Sequence, residues 1–326
     1  MDYNRKEEYV SCNIIEHGFD AQIESINLCC RISKESLGSK VIIFPDYKGE
    51  KINWDTFFRI TNKLRNIQRQ GDTVPQCKGC IYLKKQKWEN ENYINTININ
   101  NWIKCNASCI YCDRKESLHK KEYKIYPVIK DLIKNNYLRT PADITIAGGE
   151  PTITSDFDKT LKLLIKNNIS TVRVLTNAIK YNKYIEKGLK KGLVNILIST
   201  DSGSRETYKR IKLTDKHSVV WKNIKKYAKV QKEDSLVKTK YIIIPGINNS
   251  KKELSAFIEH NFDAGIKYTC IDLEISFFIR ENQNLNVLKQ IYDLFLYAKN
   301  LGNEKGIITD AFDRMQLIEN KLKFSH

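Results

Sequence analysis

From about residue 93 the chain alternates short β-branched runs with longer stretches of helical apolar spacing, and no other feature of the sequence limits its fold as tightly. The runs fall at 93–100, 143–147, 171–176, 195–200, 237–244 and 268–276. Between them lie YPVIKDLIKNN, FDKTLKLLIKNN, NKYIEKGLKKG, SVVWKNIKKYAKV and KKELSAFIEHNFDAG. Strands that alternate with helices form a parallel sheet with right-handed crossovers. Six units are too few for the eight-stranded barrel. The spacing therefore predicts an α/β chain built on an open, partial (β/α)6 TIM-like barrel, with its ligand site at the carboxyl ends of the strands.

Residues 1–90 depart from this pattern. They hold the strand-like runs AQIESINLCC and KVIIF, one helix in WDTFFRITNKLRNIQRQ, and five of the nine cysteines. Beyond the sixth strand, NVLKQIYDLFLYAKNLG and TDAFDRMQLIENKLK read as amphipathic helices. The expected division is a small cysteine-rich domain over 1–90, the barrel over 91–280 and C-terminal helices over 281–326. The opening MDYNRKEEYV has no apolar run like a signal peptide, and no window of about 18 apolar residues suggests a membrane span. A cytoplasmic protein is expected, and there nine cysteines point to metal or cluster ligation rather than disulfides. The net charge of +17 fits an anionic partner, but the lysines are spread along the whole chain, as on a solvated surface, so the charge discriminates little.

Directly after the first strand, CNASCIYC places Cys105, Cys109 and Cys112 at spacings of four and three. Three thiolates can hold three irons of a [4Fe–4S] cube, whereas an electron-transfer cluster has four cysteines. The fourth iron is then open to a substrate or cofactor. The competing reading is a zinc ribbon built from Cys77-x-x-Cys80 and Cys109-x-x-Cys112. That reading leaves Cys105 and the AGGEPT segment after the second strand unexplained.

CNASCIYC resembles the CxxxCxΦC signature of the radical S-adenosylmethionine superfamily, with Tyr111 at the aromatic position, and Gly148, Gly149, Glu150 and Pro151 match that family's GGEP motif. The resemblance covers roughly 93–276. It implies that Cys105, Cys109 and Cys112 bind the cluster and that S-adenosylmethionine chelates the open iron. It further implies that the Gly148–Pro151 backbone meets the methionine amino group and that Tyr111 lies near the adenine. ISTDSGS after strand four is similar to the SxDG segment of peptide-modifying members, which makes Ser199 and Asp201 contacts to ribose or substrate. Arg210 would pair with the methionine carboxylate, Asn177 has a similar location after strand three, and YIIIPG offers adenine an apolar edge. The implied chemistry is reductive cleavage of S-adenosylmethionine to a 5′-deoxyadenosyl radical, which takes hydrogen from a substrate C–H. A flavodoxin- or ferredoxin-type protein would supply the electron.

The N-terminal cysteines suggest a second site from Cys12, Cys77, Cys80 and one of Cys29 and Cys30. Cys29 is chosen because Ile26, Leu28, Cys30 and Ile32 share the apolar phase. This resembles the auxiliary clusters of SPASM and Twitch members, although those lie C-terminal to the barrel. A structural zinc and free core cysteines are the alternatives. On strand six, YTCIDLEIS alternates: Cys270, Asp272, Glu274 and Ser276 share one face. Asp272 and Glu274 are therefore expected to line the substrate cavity, the alternative being a structural ion pair with Lys238 or Lys240. Cys270 reads as core, or as a hydrogen-atom donor if the enzyme were an epimerase.

The functional expectation is a radical enzyme acting on a peptide or small-molecule substrate, with a sugar or nucleotide sugar as the alternative. A zinc-bearing nucleic-acid-binding protein is the remote one, for no basic segment is interleaved with aromatics.

Overall fold

The computed structural model describes residues 7–28, 42–78, 80, 82–112, 122–169, 171–232, 236–281 and 284–323. They group into two compact units. One is drawn from Met1–Lys104 and Glu116–Arg173, the other from Cys105–Lys115 and Val174–His326. Cys29 and Cys30 lie outside the described residues.

The first unit begins with β1 (Glu7–Ser11), α1 (Asn13–His17), β2 (Gly18–Gln22), β3 (Ser25–Asn27) and β4 (Ile42–Phe44). It continues through α2 (Trp54–Arg69), β5 (Lys84–Trp88), β6 (Ile94–Ile99), α3 (Tyr126–Lys134), β7 (Leu138–Ile146) and α4 (Ser155–Lys166). β1 and β5 form an antiparallel ribbon. The remaining strands lie in the order β7-β6-β2-β3-β4, with β6 parallel to both neighbours. AQIESINLCC is therefore not one strand. It turns at Glu24, whose φ is +59°, so β2 and β3 pair antiparallel and Ala21 stands opposite Ile26.

α2 buries Trp54, Phe57, Phe58, Thr61, Arg65 and Gln68, the spacing of a helix with one face in the core. Its N-cap Asn53 accepts the Thr56 N–H. Against it, Glu16 accepts hydrogen bonds from the Tyr9 hydroxyl (2.8 Å) and the Ser11 hydroxyl (2.5 Å) and pairs with Arg65, so both buried charges are matched. His17 stacks on Tyr93 with ring centroids 3.8 Å apart, and its Nδ1 is buried without a partner. Burial, with Arg65 adding to it, lowers the His17 pKa from 6.5 to about 3. A base whose folded pKa is depressed stabilises the fold above its unfolded pKa, and that contribution is lost as pH falls from about 6.5 toward 3. His17→Phe keeps the stack and removes the titration. Urea unfolding at pH 7 and pH 5 is expected to show a smaller acid loss in this variant than in the wild type.

The second unit contains β8 (Val172–Thr176), α5 (Lys183–Lys191), β9 (Val194–Ser199), α6 (Arg205–Lys212), α7 (His217–Val230) and β10 (Val237–Ile243). After these come α8 (Lys251–Ala264), β11 (Tyr268–Leu273), α9 (Ile275–Glu281), α10 (Leu285–Glu304), β12 (Ile308–Ala311) and α11 (Asp313–Lys323). The strands lie in the order β12-β11-β10-β9-β8, and β10 is parallel to β9 and β11. Helices start where a side chain caps them: Asn182 on α5, Ser204 on α6, Ser250 on α8 and Asn284 on α10. The mixed α/β class with a parallel sheet is as the alternation predicts.

Two boundaries differ from expectation. TDAFDRMQLIENKLK is not helical throughout: Thr309 pairs with Thr269 as β12 extends the sheet, and α11 begins only at Asp313. Strand six ends at Leu273, and Glu274 turns the chain into α9 by accepting the N–H groups of Ser276 (2.9 Å) and Phe277 (2.8 Å).

Candidate functional site

The cysteine loop leaves β6 and docks onto the end of α6. The last carbonyls of any helix lack intrahelical partners. Here the Lys212 carbonyl accepts the Ser108 N–H (3.1 Å) and the Ile211 carbonyl accepts the Ile110 N–H (3.0 Å). Cys112 N–H closes a turn onto the Cys109 carbonyl at 3.1 Å. Cys105 is exposed, and Cys109 and Cys112 are half-buried. Asn177, just past β8, donates through Nδ2 to Asn106 Oδ1 (2.7 Å) and to the Cys105 sulfur (3.7 Å), and so braces the start of the loop.

Tyr111 is held by a buried pair. Its hydroxyl donates to Asp201 Oδ2 at 2.5 Å and accepts from Lys212 Nζ at 2.8 Å, while Lys212 also binds the Asp201 carboxylate. The other Asp201 oxygen accepts the Ile242 N–H (2.8 Å), and the Asp201 carbonyl accepts from Asn248 (2.8 Å). Asp201 takes a left-handed backbone, with φ of +57°. The Asp201 side chain is fully buried and that of Lys212 is 1% exposed. Burial alone would depress the Lys212 ammonium, but the adjacent Asp201 carboxylate more than offsets this and holds its pKa above the ordinary value. Burial also pushes the Cys109 thiol up, with Lys212 acting in the opposite sense.

Arg210, expected as a carboxylate partner, lies on the exposed face of α6. The cation that α6 buries is Lys212, one turn after Tyr208 and next to Ile211 on the apolar side. Sequence reading missed it because a lysine near a helix end is ordinarily a solvated one. A lysine in phase with Tyr208 and Ile211 was the available signal. Ser199, at the end of β9, is half-buried.

In the first unit the GGEP segment is shaped by close backbone approach. Gly149 N–H donates to the Trp102 carbonyl and Glu150 N–H to the Lys104 carbonyl, both at 2.7 Å. A Cβ on Gly149 would lie 2.2 Å from the Lys104 oxygen, and Gly148 adopts φ of +118°, so both positions require glycine. Glu150 is buried and accepts from the Thr152 N–H (3.1 Å) and hydroxyl (2.5 Å), which caps the short 3-10 turn Pro151–Ile153.

On β11, Asp272 is fully buried and pairs with Lys240 (3.1 Å) and Arg314, whose backbone N–H also binds it (3.0 Å). This is the ion-pair arrangement, with Lys240 as the lysine. Lys238 instead meets Asp310 at 2.7 Å. Cys270 is fully buried, and its thiol faces the Thr239 carbonyl at 3.6 Å. Burial pushes its pKa up to about 12.

Among the described residues, no three His, Cys, Asp or Glu side chains are grouped to hold a single metal ion, and these include Cys12, Cys77 and Cys80. An iron–sulfur cube is held differently, by thiols spread around it. The loop 105–112 supplies three soft thiols and no carboxylate or imidazole, a donor set that fits such a cluster.

Residues 102–258, which include this loop, match the family model described as Radical SAM superfamily. Residues 102–258 are a radical SAM domain. The family uses a [4Fe–4S] cluster and S-adenosylmethionine. A GTP 3′,8-cyclase of Clostridium botulinum (strain Hall) is 31% identical to the chain over 162 residues, covering 48% of this chain and 50% of the relative. A probable GTP 3′,8-cyclase of Methanococcus maripaludis (strain C5) is 30% identical over 129 residues, covering 39% of this chain and 43% of the relative. The chain thus spans about half the length of the curated relatives it matches. Streptococcus suis SuiB bound to the precursor peptide SuiA superposes with a TM-score of 0.56 at 12% identity, covering 89% of this chain and 61% of that one. SuiB bound to S-adenosylmethionine gives 0.53 at 14%, covering 86% and 58%. At such identities the likeness is one of fold. Among the described residues no helix of the radical SAM domain or its flanks is long and apolar enough to cross a membrane.

Proposed function

We propose that this chain is a radical SAM enzyme whose Cys105, Cys109 and Cys112 hold a [4Fe–4S] cluster and whose substrate is a peptide. The observation that carries the reading is the three-thiol loop inside the matched domain, docked on the end of α6 by its own backbone amides at Ser108 and Ile110. Cys105, Cys109 and Cys112 would hold the cluster, which would supply the one-electron reductive cleavage of S-adenosylmethionine that precedes hydrogen abstraction from a substrate C–H. The protein's part is to bind and orient. Tyr111, fixed through its hydroxyl, offers a ring face of constant position to the adenine. Asn177 sets the start of the loop, and Ser199 stands at a strand end where a ribose hydroxyl would be met. The Gly148–Pro151 backbone takes the methionine amino group. The electron comes from a flavodoxin- or ferredoxin-type donor.

The peptide reading rests on the ISTDSGS segment and on the fold shared with SuiB, whose structure holds a precursor peptide. A nucleotide substrate is the second reading, favoured by the relatives named GTP 3′,8-cyclase. Anaerobically reconstituted protein, incubated with dithionite and S-adenosylmethionine, is expected to release 5′-deoxyadenosine. Precursor-like peptides encoded beside the gene should raise that yield more than GTP does. An intact cluster with no 5′-deoxyadenosine would overturn the enzyme reading, and stimulation by GTP alone would overturn the peptide one.

A further inference from the structure

Among the described residues, two basic side chains are almost wholly buried, Arg65 and Lys212. Arg65 is accounted for by Glu16. Lys212 stands beside the cysteine loop, and the surroundings of that loop explain why a cation is needed there. The loop binds the carboxyl end of α6, where the helix dipole is negative and disfavours further negative charge. The nearby Asp201 carboxylate is negative as well. Three thiolates would add to both.

Asp201 is heavily neutralised. Its carboxylate accepts from the Ile242 N–H, the Tyr111 hydroxyl and Lys212, so its charge is spread over three donors on three segments. Lys212 donates to Asp201 and to Tyr111, and its charge acts on the loop. Tyr111 stands between Cys109 and Cys112, and the Lys212 ammonium lies 2.8 Å from its hydroxyl and 5.2 Å from its ring centroid. Asp201 reaches the same hydroxyl but shares its charge with the Ile242 N–H on β10, whereas the Lys212 ammonium also lies over the Tyr111 ring.

Resting on the cluster reading above, we infer that Lys212 is a positioning residue that sets how readily a cluster on this loop accepts an electron. Net charge near a cluster is one of the levers on its reduction potential, and a fixed cation favours the more negative, reduced state. Asp201 and Tyr111 hold the ammonium so that its charge does not wander. The backbone carbonyl of the same residue anchors Ser108, so charge and loop move as one piece.

The test uses Lys212→Met, Lys212→Arg and the double variant Asp201→Asn/Lys212→Met, each reconstituted with iron and sulfide. Three quantities are read: thermal unfolding before reconstitution, iron content after it, and the reduction midpoint from a potentiometric titration followed by visible absorbance. Lys212→Met leaves a buried carboxylate with no cation and is expected to unfold earlier. The double variant removes both charges and should recover most of that loss. A purely structural pair would show nothing more. The inference requires that the midpoint stay displaced in the double variant, to more negative potential. The expected size is about a tenfold fall in reduced fraction at fixed donor potential, equivalent to about 59 mV for one electron. Lys212→Arg should stay close to the wild type. If the double variant recovers its unfolding temperature but no longer loads iron, the assignment is overturned, because Lys212 then serves cluster binding rather than the potential. A fully loaded double variant with the wild-type midpoint overturns it. Failure of wild-type protein to load iron at all overturns the cluster reading beneath it, and that result is distinguishable from the others.

Discussion

Replacing Cys105, Cys109 or Cys112 with alanine, one at a time, is expected to bring 5′-deoxyadenosine formation down to the level of cluster-free protein, while Cys270→Ala leaves it intact. The loop holds no other thiol, since Cys105, Cys109 and Cys112 are the only sulfur-bearing residues of 105–112. A cube held by two thiols would lose an iron or the whole cluster. Cys270 differs in kind. A ligand must be a thiolate, and the fully buried Cys270, with its pKa pushed up to about 12, stays protonated near neutral pH. The check is iron and sulfide content together with 5′-deoxyadenosine, measured by chromatography on the same anaerobic preparations. A loop variant that keeps wild-type iron and wild-type cleavage would remove that cysteine from the ligand set. Loss of cleavage in Cys270→Ala with iron intact would bring back the hydrogen-donor reading of that residue.

The parts of the fold that were legible in the sequence are those encoded by local period. All six expected strands exist, because each is a β-branched run of five to nine residues followed by a stretch with helical apolar spacing. The three-cysteine spacing of CNASCIYC was legible for a different reason: it is written along the chain. What escaped was set by tertiary contact. α6 was not expected because RETYKRIK offers only Tyr208 and Ile211 as apolar residues, too few for a stripe; the helix exists because its Ser204 cap and its docked end support it. β12 is four residues of mixed character and becomes a strand by pairing with β11. Lys212 looked like one more surface lysine among many. Its role depends on Asp201, eleven residues away, and on Tyr111, 101 residues away. Strand six shows the opposite failure. The two-residue alternation was correct as far as Leu273, and extending it one residue further placed Glu274 on a face that the backbone had already left.

That distinction makes Asp272 and Glu274 separable by experiment, although the sequence presents them as a pair. Asp272→Asn is expected to destabilise the protein by about 3 kcal/mol, the low end of the cost of breaking a buried ion pair. The low end applies because Lys240 and Arg314 are 12% and 20% exposed, so water reaches both cations when the carboxylate is gone. The loss reaches further than one contact, because Asp272 also accepts the Arg314 N–H and thereby ties the start of α11 to β11. Glu274→Gln should cost less than about 1 kcal/mol, since a glutamine oxygen can still accept one of the two N–H groups at the start of α9. Denaturant unfolding of both variants, beside 5′-deoxyadenosine formation with and without substrate, decides what each carboxylate does. If Asp272 supports the barrel, its variant unfolds early while its uncoupled S-adenosylmethionine cleavage follows the folded fraction. If Asp272→Asn keeps the wild-type unfolding midpoint but loses substrate turnover alone, its buried pair with Lys240 and Arg314 is spent on the substrate rather than on the fold. Glu274→Gln with unchanged stability and lost turnover would likewise move that side chain from helix cap to chemistry.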